Sequence, residues 1–154
     1  MIKEQIIENI RAAYSQLISK DGYLLRADAN ERSITHKLAE YLQLYFPEWH
    51  VDCEYNRNGL DVKKLDTFKR SIKSDDTNAV SVYPDIIIHH RDTKDNLVVI
   101  EAKKNSYSGE DHDEEKLRAY KNDLQYKFAF KITFPVGDTY ENSIDASGNI
   151  KEII

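Results

Sequence analysis

Apolar residues along the chain change their period several times, and each change predicts an element. Ile2, Ile6, Ile10, Ala13 and Leu17 recur at helical spacing, which predicts an amphipathic helix over residues 2–18. Asp21-Gly22 then reads as a turn within a connection over residues 19–29. Asn30 is a good N-cap residue, and Glu31 is an acid placed for the first turn of a second helix. The stripe Ile34, Leu38, Tyr41, Leu42 and Tyr45 carries that helix to Pro47, which stops it. Residues 50–55 alternate as a strand does, and residues 57–79 read as a long polar loop. Two stretches follow, 80–90 and 96–103, with the continuous apolar runs Ile86-Ile87-Ile88 and Leu97-Val98-Val99-Ile100. Runs of this kind suit strands buried on both faces. A polar helix over 111–124, an aromatic strand over 126–134 and a short last strand over 149–154 complete the order.

Strands that are apolar on both sides need helices on both faces of the sheet. The expected fold is therefore α/β, a three-layer α/β/α arrangement around a central mixed sheet. A length of 154 residues fits one domain: an N-terminal helix, 2–18, on a core, 30–134, with a tail, 135–154. With one cysteine, Cys53, no internal disulfide forms, and a reducing, cytoplasmic setting is expected. No stretch is long and apolar enough for a membrane span, and the first residues lack the pattern of a secretory leader.

The net charge of −5 speaks against a protein that coats nucleic acid through bulk positive charge. Basic residues are nevertheless concentrated between 57 and 73: Arg57, Lys63, Lys64, Lys69, Arg70 and Lys73 against Asp61 and Asp66. They form either a solvated surface or a grip on a phosphate backbone.

The sharpest chemical signal lies in the two apolar strands. A hairpin centred on Thr93, in the polar run Arg91-Asp92-Thr93-Lys94-Asp95, sets Asp85 directly opposite Glu101. Alternation puts Glu101 and Lys103 on one face and Ala102 on the other. Two facing carboxylates in a buried sheet repel, and a divalent cation held by hard oxygen ligands, Mg²⁺ or Mn²⁺, would offset the cost. A structural ion pair with Lys103 is the alternative. Zinc is not expected, because one cysteine and scattered histidines give no ligand spacing. His89 and His90 face opposite ways on a strand and are expected to cap its end, while Cys53 is expected to be a buried thiol.

Tyr83-Pro84-Asp85, fifteen intervening residues and then Glu101-Ala102-Lys103 resemble the signature of the PD-(D/E)XK nuclease superfamily, whose fold is termed restriction-endonuclease-like. The likeness covers residues 30–134 in element order. It implies that Asp85 and Glu101 bind Mg²⁺ or Mn²⁺, with the Ala102 carbonyl as a further ligand, and that Lys103 assists the attacking water. It further implies that Glu31, on an early helix, completes the metal shell. Lys116 and Tyr120, on the helix after the motif, would then approach a phosphate. Arg57, Lys63, Lys64, Lys69 and Arg70 would contact the nucleic-acid backbone, and DNA is expected before RNA. A homodimer or a partner protein would supply recognition, since no appended recognition segment is evident. The competing expectation is a non-catalytic nucleic-acid- or protein-binding module on the same fold.

Overall fold

The computed structural model describes residues 1–55, 64–65, 80–81, 83–109, 111–142 and 149–154, with backbone only at 64–65, 80–81 and 141–142. Three α-helices, α1 (Lys3–Arg26), α2 (Glu31–Tyr45) and α3 (Asp113–Asp123), flank strands β1 (His50–Cys53), β4 (Ile86–His89), β5 (Asn96–Lys104), β6 (Phe128–Phe134) and β7 (Ile150–Ile153). A two-stranded ribbon, β2 (Lys64–Leu65) with β3 (Val80–Ser81), stands apart from the sheet. The sheet runs β1-β4-β5-β6-β7 and is mixed, because β5 and β6 are parallel and the other neighbours antiparallel. Among the described residues no helix is long and apolar enough to cross a membrane.

Helices cover both faces, as the doubly apolar strands require. Ile86, Ile88, Val98, Ile100, Ala102, Phe130 and Ile132 pack against α1 and α2. Ile87, Val99, Ala129 and Ile153 face the opposite way, under Leu117 and Tyr120 of α3. The alternation of side chains along each strand thus divides one sheet between two cores.

Local chemistry sets the ends of α2. Asn30 Oδ1 accepts from the Ser33 amide at 2.8 Å and satisfies a first-turn donor. Phe46 and Pro47 end the helix. The first helix is longer than its pattern suggests: it bends at Asp21, whose φ and ψ are −126° and 25°, and then continues to Arg26, burying Leu25. Gly22 marks a close approach rather than a turn. A Cβ there would lie 2.5 Å from Tyr140 Oη, in the 3-10 helix Gly137–Asn142. The Asp21 carboxylate accepts from Tyr41 of α2 and so fixes the bend.

The expected strand over 80–90 divides in two. Val80–Ser81 pairs with Lys64–Leu65, inside the stretch read as a loop, and only Ile86–His89 joins the sheet. The last strand, β7, forms as expected and pairs with β6.

Candidate metal centre

The β4–β5 register pairs Ile86 with Ile100, Ile87 with Val99 and Ile88 with Val98. Over these residues the register is that of a hairpin centred on Thr93, so Asp85, one residue before β4, comes opposite Glu101; next to the loop it shifts by one, and His89 pairs with Asn96. Because β4 has ended, Ala102 lacks a strand partner for its amide. Asp85 Oδ2 fills that place and accepts from the Ala102 N–H at 2.8 Å. The N–H and C=O of one strand residue point to the same side, so the Ala102 carbonyl also faces Asp85.

Glu101 is only 4% exposed. Its Oε1 accepts from the Tyr120 hydroxyl at 2.9 Å, and Asp85 places a second carboxyl group beside it. Burial, and then the adjacent Asp85, push the Glu101 carboxyl well above the ordinary carboxylate range. The pair therefore binds a cation or keeps a proton.

Lys103 lies on the same face, two residues along β5. Its Nζ sits 4.7 Å from the centre of the Tyr107 ring. Burial disfavours its charge, but Asp113, Glu31 and Asp85 outweigh that and hold it above the usual lysine range. The ammonium is thus a fixed positive charge at neutral pH. Such a group can donate hydrogen bonds but does not take up a proton.

Two helix starts converge on this end of β5. Glu31 opens α2, Asp113 opens α3, and both act electrostatically on Lys103. Lys104, pointing to the other face, ties the strand to the connection before α2 through Asp28 Oδ1 at 2.8 Å and the Ala29 carbonyl at 3.1 Å. That tether fixes where α2 begins, and with it Glu31. A cleft of about 640 Å³ opens beside the carboxyl pair, lined by Glu31, Arg32, Thr35, His36, Cys53 and Asp85 among others. The site expected from sequence is thus brought together: Asp85, Glu101, Ala102, Lys103 and Glu31 share one end of the sheet.

Several expectations change on folding. Tyr120 is 2% exposed and its hydroxyl is committed to Glu101, so it holds a carboxylate in the core instead of meeting a phosphate. Helical periodicity shows that Tyr120 faces the sheet but not which sheet residue its hydroxyl meets. Lys116 is half-buried and lies within the field of Glu101 and Asp113. Cys53 is exposed at the rim of the cleft, because β1 is an edge strand. Glu54, at the end of β1, forms an ion pair with Arg32 of α2 at 3.2 Å. His89 is buried, with Nε2 at 2.7 Å from Asp52 Oδ2, and Asp52 also accepts from Arg91 Nε at 2.9 Å. His89 therefore belongs to a polar cluster on β1 and β4 and has no place in the site. Of the basic residues, Arg57, Lys63, Lys69, Arg70 and Lys73 lie outside the described residues. Lys64 is on β2, which runs beside α3.

The donor set fits a hard cation in part. Asp85 and Glu101 lie opposite one another at the end of β5, and oxygen ligands of this kind suit Mg²⁺ or Mn²⁺. Among the described residues no three His, Cys, Asp or Glu side chains converge on a single point. The chain matches no protein-family model, no curated protein and no solved structure.

Proposed function

We propose that the chain is a divalent-metal-dependent nuclease of the restriction-endonuclease-like class that hydrolyses phosphodiester bonds, with DNA as the first substrate to test. One observation carries the reading: a carboxyl pair, half-buried Asp85 with buried Glu101, lies beside a charged lysine at the end of β5 and at the mouth of a cleft. A fold stabilised only by its core has no use for such a pair, since facing carboxylates cost free energy. The motif Pro84-Asp85 and Glu101-Ala102-Lys103 and the order helix, strand hairpin, helix, strand support the same class.

In this reading Asp85, Glu101 and the Ala102 carbonyl hold the ion, and Glu31 faces it from α2. A bound Mg²⁺ or Mn²⁺ would neutralise the carboxyl pair, polarise a phosphate oxygen and acidify water. The residues of the chain do the rest. Tyr120 keeps Glu101 in one orientation. Lys103, held charged, donates to the phosphate oxygens as negative charge grows on them. Water forms the new P–O bond and gives up a proton to solvent, the bond from phosphorus to the ester oxygen breaks, and the departing oxygen takes up a proton from solvent. The cleft beside Glu31 receives the strand next to the scissile phosphate. The basic residues Arg57, Lys63, Lys64, Lys69 and Arg70 add backbone affinity without reading sequence.

A second reading, a binding module without turnover, is favoured by one detail. Asp85 Oδ2 already serves the Ala102 amide, as it would in a purely structural strand cap. Supercoiled, linear, single-stranded and branched DNA, together with RNA, incubated with Mg²⁺ or Mn²⁺, separate the two. Cleavage abolished by EDTA and by Asp85→Ala supports the nuclease. Metal binding without cleavage of any substrate supports the module.

A further inference from the structure

Three acids open α3 in succession, and their fates differ. Glu114 is paired with Lys151 at 3.1 Å and with Arg118 at 3.5 Å, and Glu115 is exposed. Acids of this sort gain from the helix dipole while remaining in water. Asp113 is 1% exposed, and its Oδ2 is buried without a hydrogen-bond partner. Its backbone amide is already satisfied by Asp111 Oδ1 at 2.9 Å, so capping does not account for the burial of its side chain. A carboxylate oxygen in this state costs on the order of 1–3 kcal/mol or more. A proton on that oxygen does not remove the cost, because a buried O–H without an acceptor is penalised in the same way. Lys103 is the main positive charge acting on Asp113, and Asp85 and Glu101 both lie within its field.

We infer that Asp113 is a third carboxylate of the cation site at the end of β5, joining Asp85 and Glu101 through its unpartnered Oδ2. The three side chains do not meet at one point as they stand. An oxygen that makes no hydrogen bond gives up none when it turns, so the adjustment falls on Asp113 rather than on Asp85 or Glu101, each of which already commits one oxygen to a hydrogen bond. The inference rests on the metal reading of this site and extends it to a residue outside the Asp–Glu–Lys signature. It makes the start of α3 part of the centre.

Binding of Mn²⁺ alone, followed by loss of the free-ion signal in electron paramagnetic resonance, tests it on the full chain without requiring activity. Wild type, Glu101→Gln, Asp113→Asn, Asp113→Ala and the neighbouring Glu115→Gln are compared, with melting curves in EDTA to verify folding. Asp113→Asn and Asp113→Ala are expected to weaken Mn²⁺ binding about tenfold or more, the scale of loss when a supporting group of a metal site is removed. Glu115→Gln is expected to bind as wild type does. Wild-type affinity in both Asp113 variants, with binding lost in Glu101→Gln, overturns this inference and leaves the metal reading standing. An absence of Mn²⁺ binding in wild type overturns both.

Discussion

Glu101→Gln is the substitution that most directly weighs the carboxyl pair. The amide keeps the size of the side chain, its oxygen can still accept from Tyr120, and its NH₂ can donate to Asp85. The contact with Tyr120 is therefore preserved, while the charge that burial penalises disappears. In wild type the Glu101 carboxyl is raised by burial and by Asp85. The folded state then holds a proton that the unfolded chain releases near an ordinary glutamate value, about 4.3. Stability falls with pH wherever the folded state binds more protons. The contribution is fully present below that value and is lost as pH rises toward the folded pKa. At pH 8 without metal, the variant should be the more stable by about 1–3 kcal/mol, the cost of leaving a buried polar group poorly satisfied. For a chain of this size that is roughly 2–10 °C in melting temperature. At pH 4 the two melting temperatures should coincide. Saturating Mn²⁺ should reverse the order, since a ligand at 100 times its dissociation constant adds about 2.7 kcal/mol, and only the wild type keeps both carboxylates. Calorimetric melting from pH 4 to 9, in EDTA and in MnCl₂, measures all three effects. A variant that melts below wild type at pH 8 in EDTA, or a gap that does not change with pH, would refute the reasoning.

Tyr120→Phe removes the donor to Glu101 inside the core and should cost about 1–2 kcal/mol in a denaturant titration, with weaker Mn²⁺ binding. Asp52→Asn breaks the cluster with His89 and Arg91. Burial raises the Asp52 carboxyl, but the hydrogen bonds from His89 and Arg91 outweigh it and hold it below the usual range. Its stabilisation is present above about pH 4 and lost as pH falls through the folded value. The variant should therefore lose about 2–4 kcal/mol at pH 7, with a smaller deficit in acid, read from melting curves across pH. Asn30→Ala removes the cap of α2 and should cost about 1 kcal/mol by the same melts. If cleavage is detected, it should also lower the rate by loosening Glu31.

Much of this architecture follows from local pattern. The runs at 86–88 and 97–100 are apolar on both faces, which dictates helices above and below, and the five strands and three helices form in the expected order. The facing of Asp85 and Glu101 was legible because a two-fold side-chain period and one short loop leave a hairpin few registers. The capping of α2 by Asn30 depends on residues three positions apart, and so the sequence carries it in full.

The remaining features depend on contacts between residues far apart in the chain. Gly22 looks like a turn because glycine often makes one, yet its role comes from Tyr140, more than a hundred residues away. Cys53 looks like a core thiol, and only the strand order makes β1 an edge and exposes it. Tyr120 shows helical periodicity, but its hydroxyl meets Glu101 only once α3 packs on that face of the sheet. Asp113 is indistinguishable in sequence from Glu114 and Glu115, since the dipole favours all three alike. Burial separates them, and it arises where α3 packs on β5 and β6. The sequence by itself determined the strands, the caps and the residue types at the site, because these follow from spacing along the chain. The tertiary structure decided which carboxylates lose water and which groups answer them, because desolvation is a property of the packed whole.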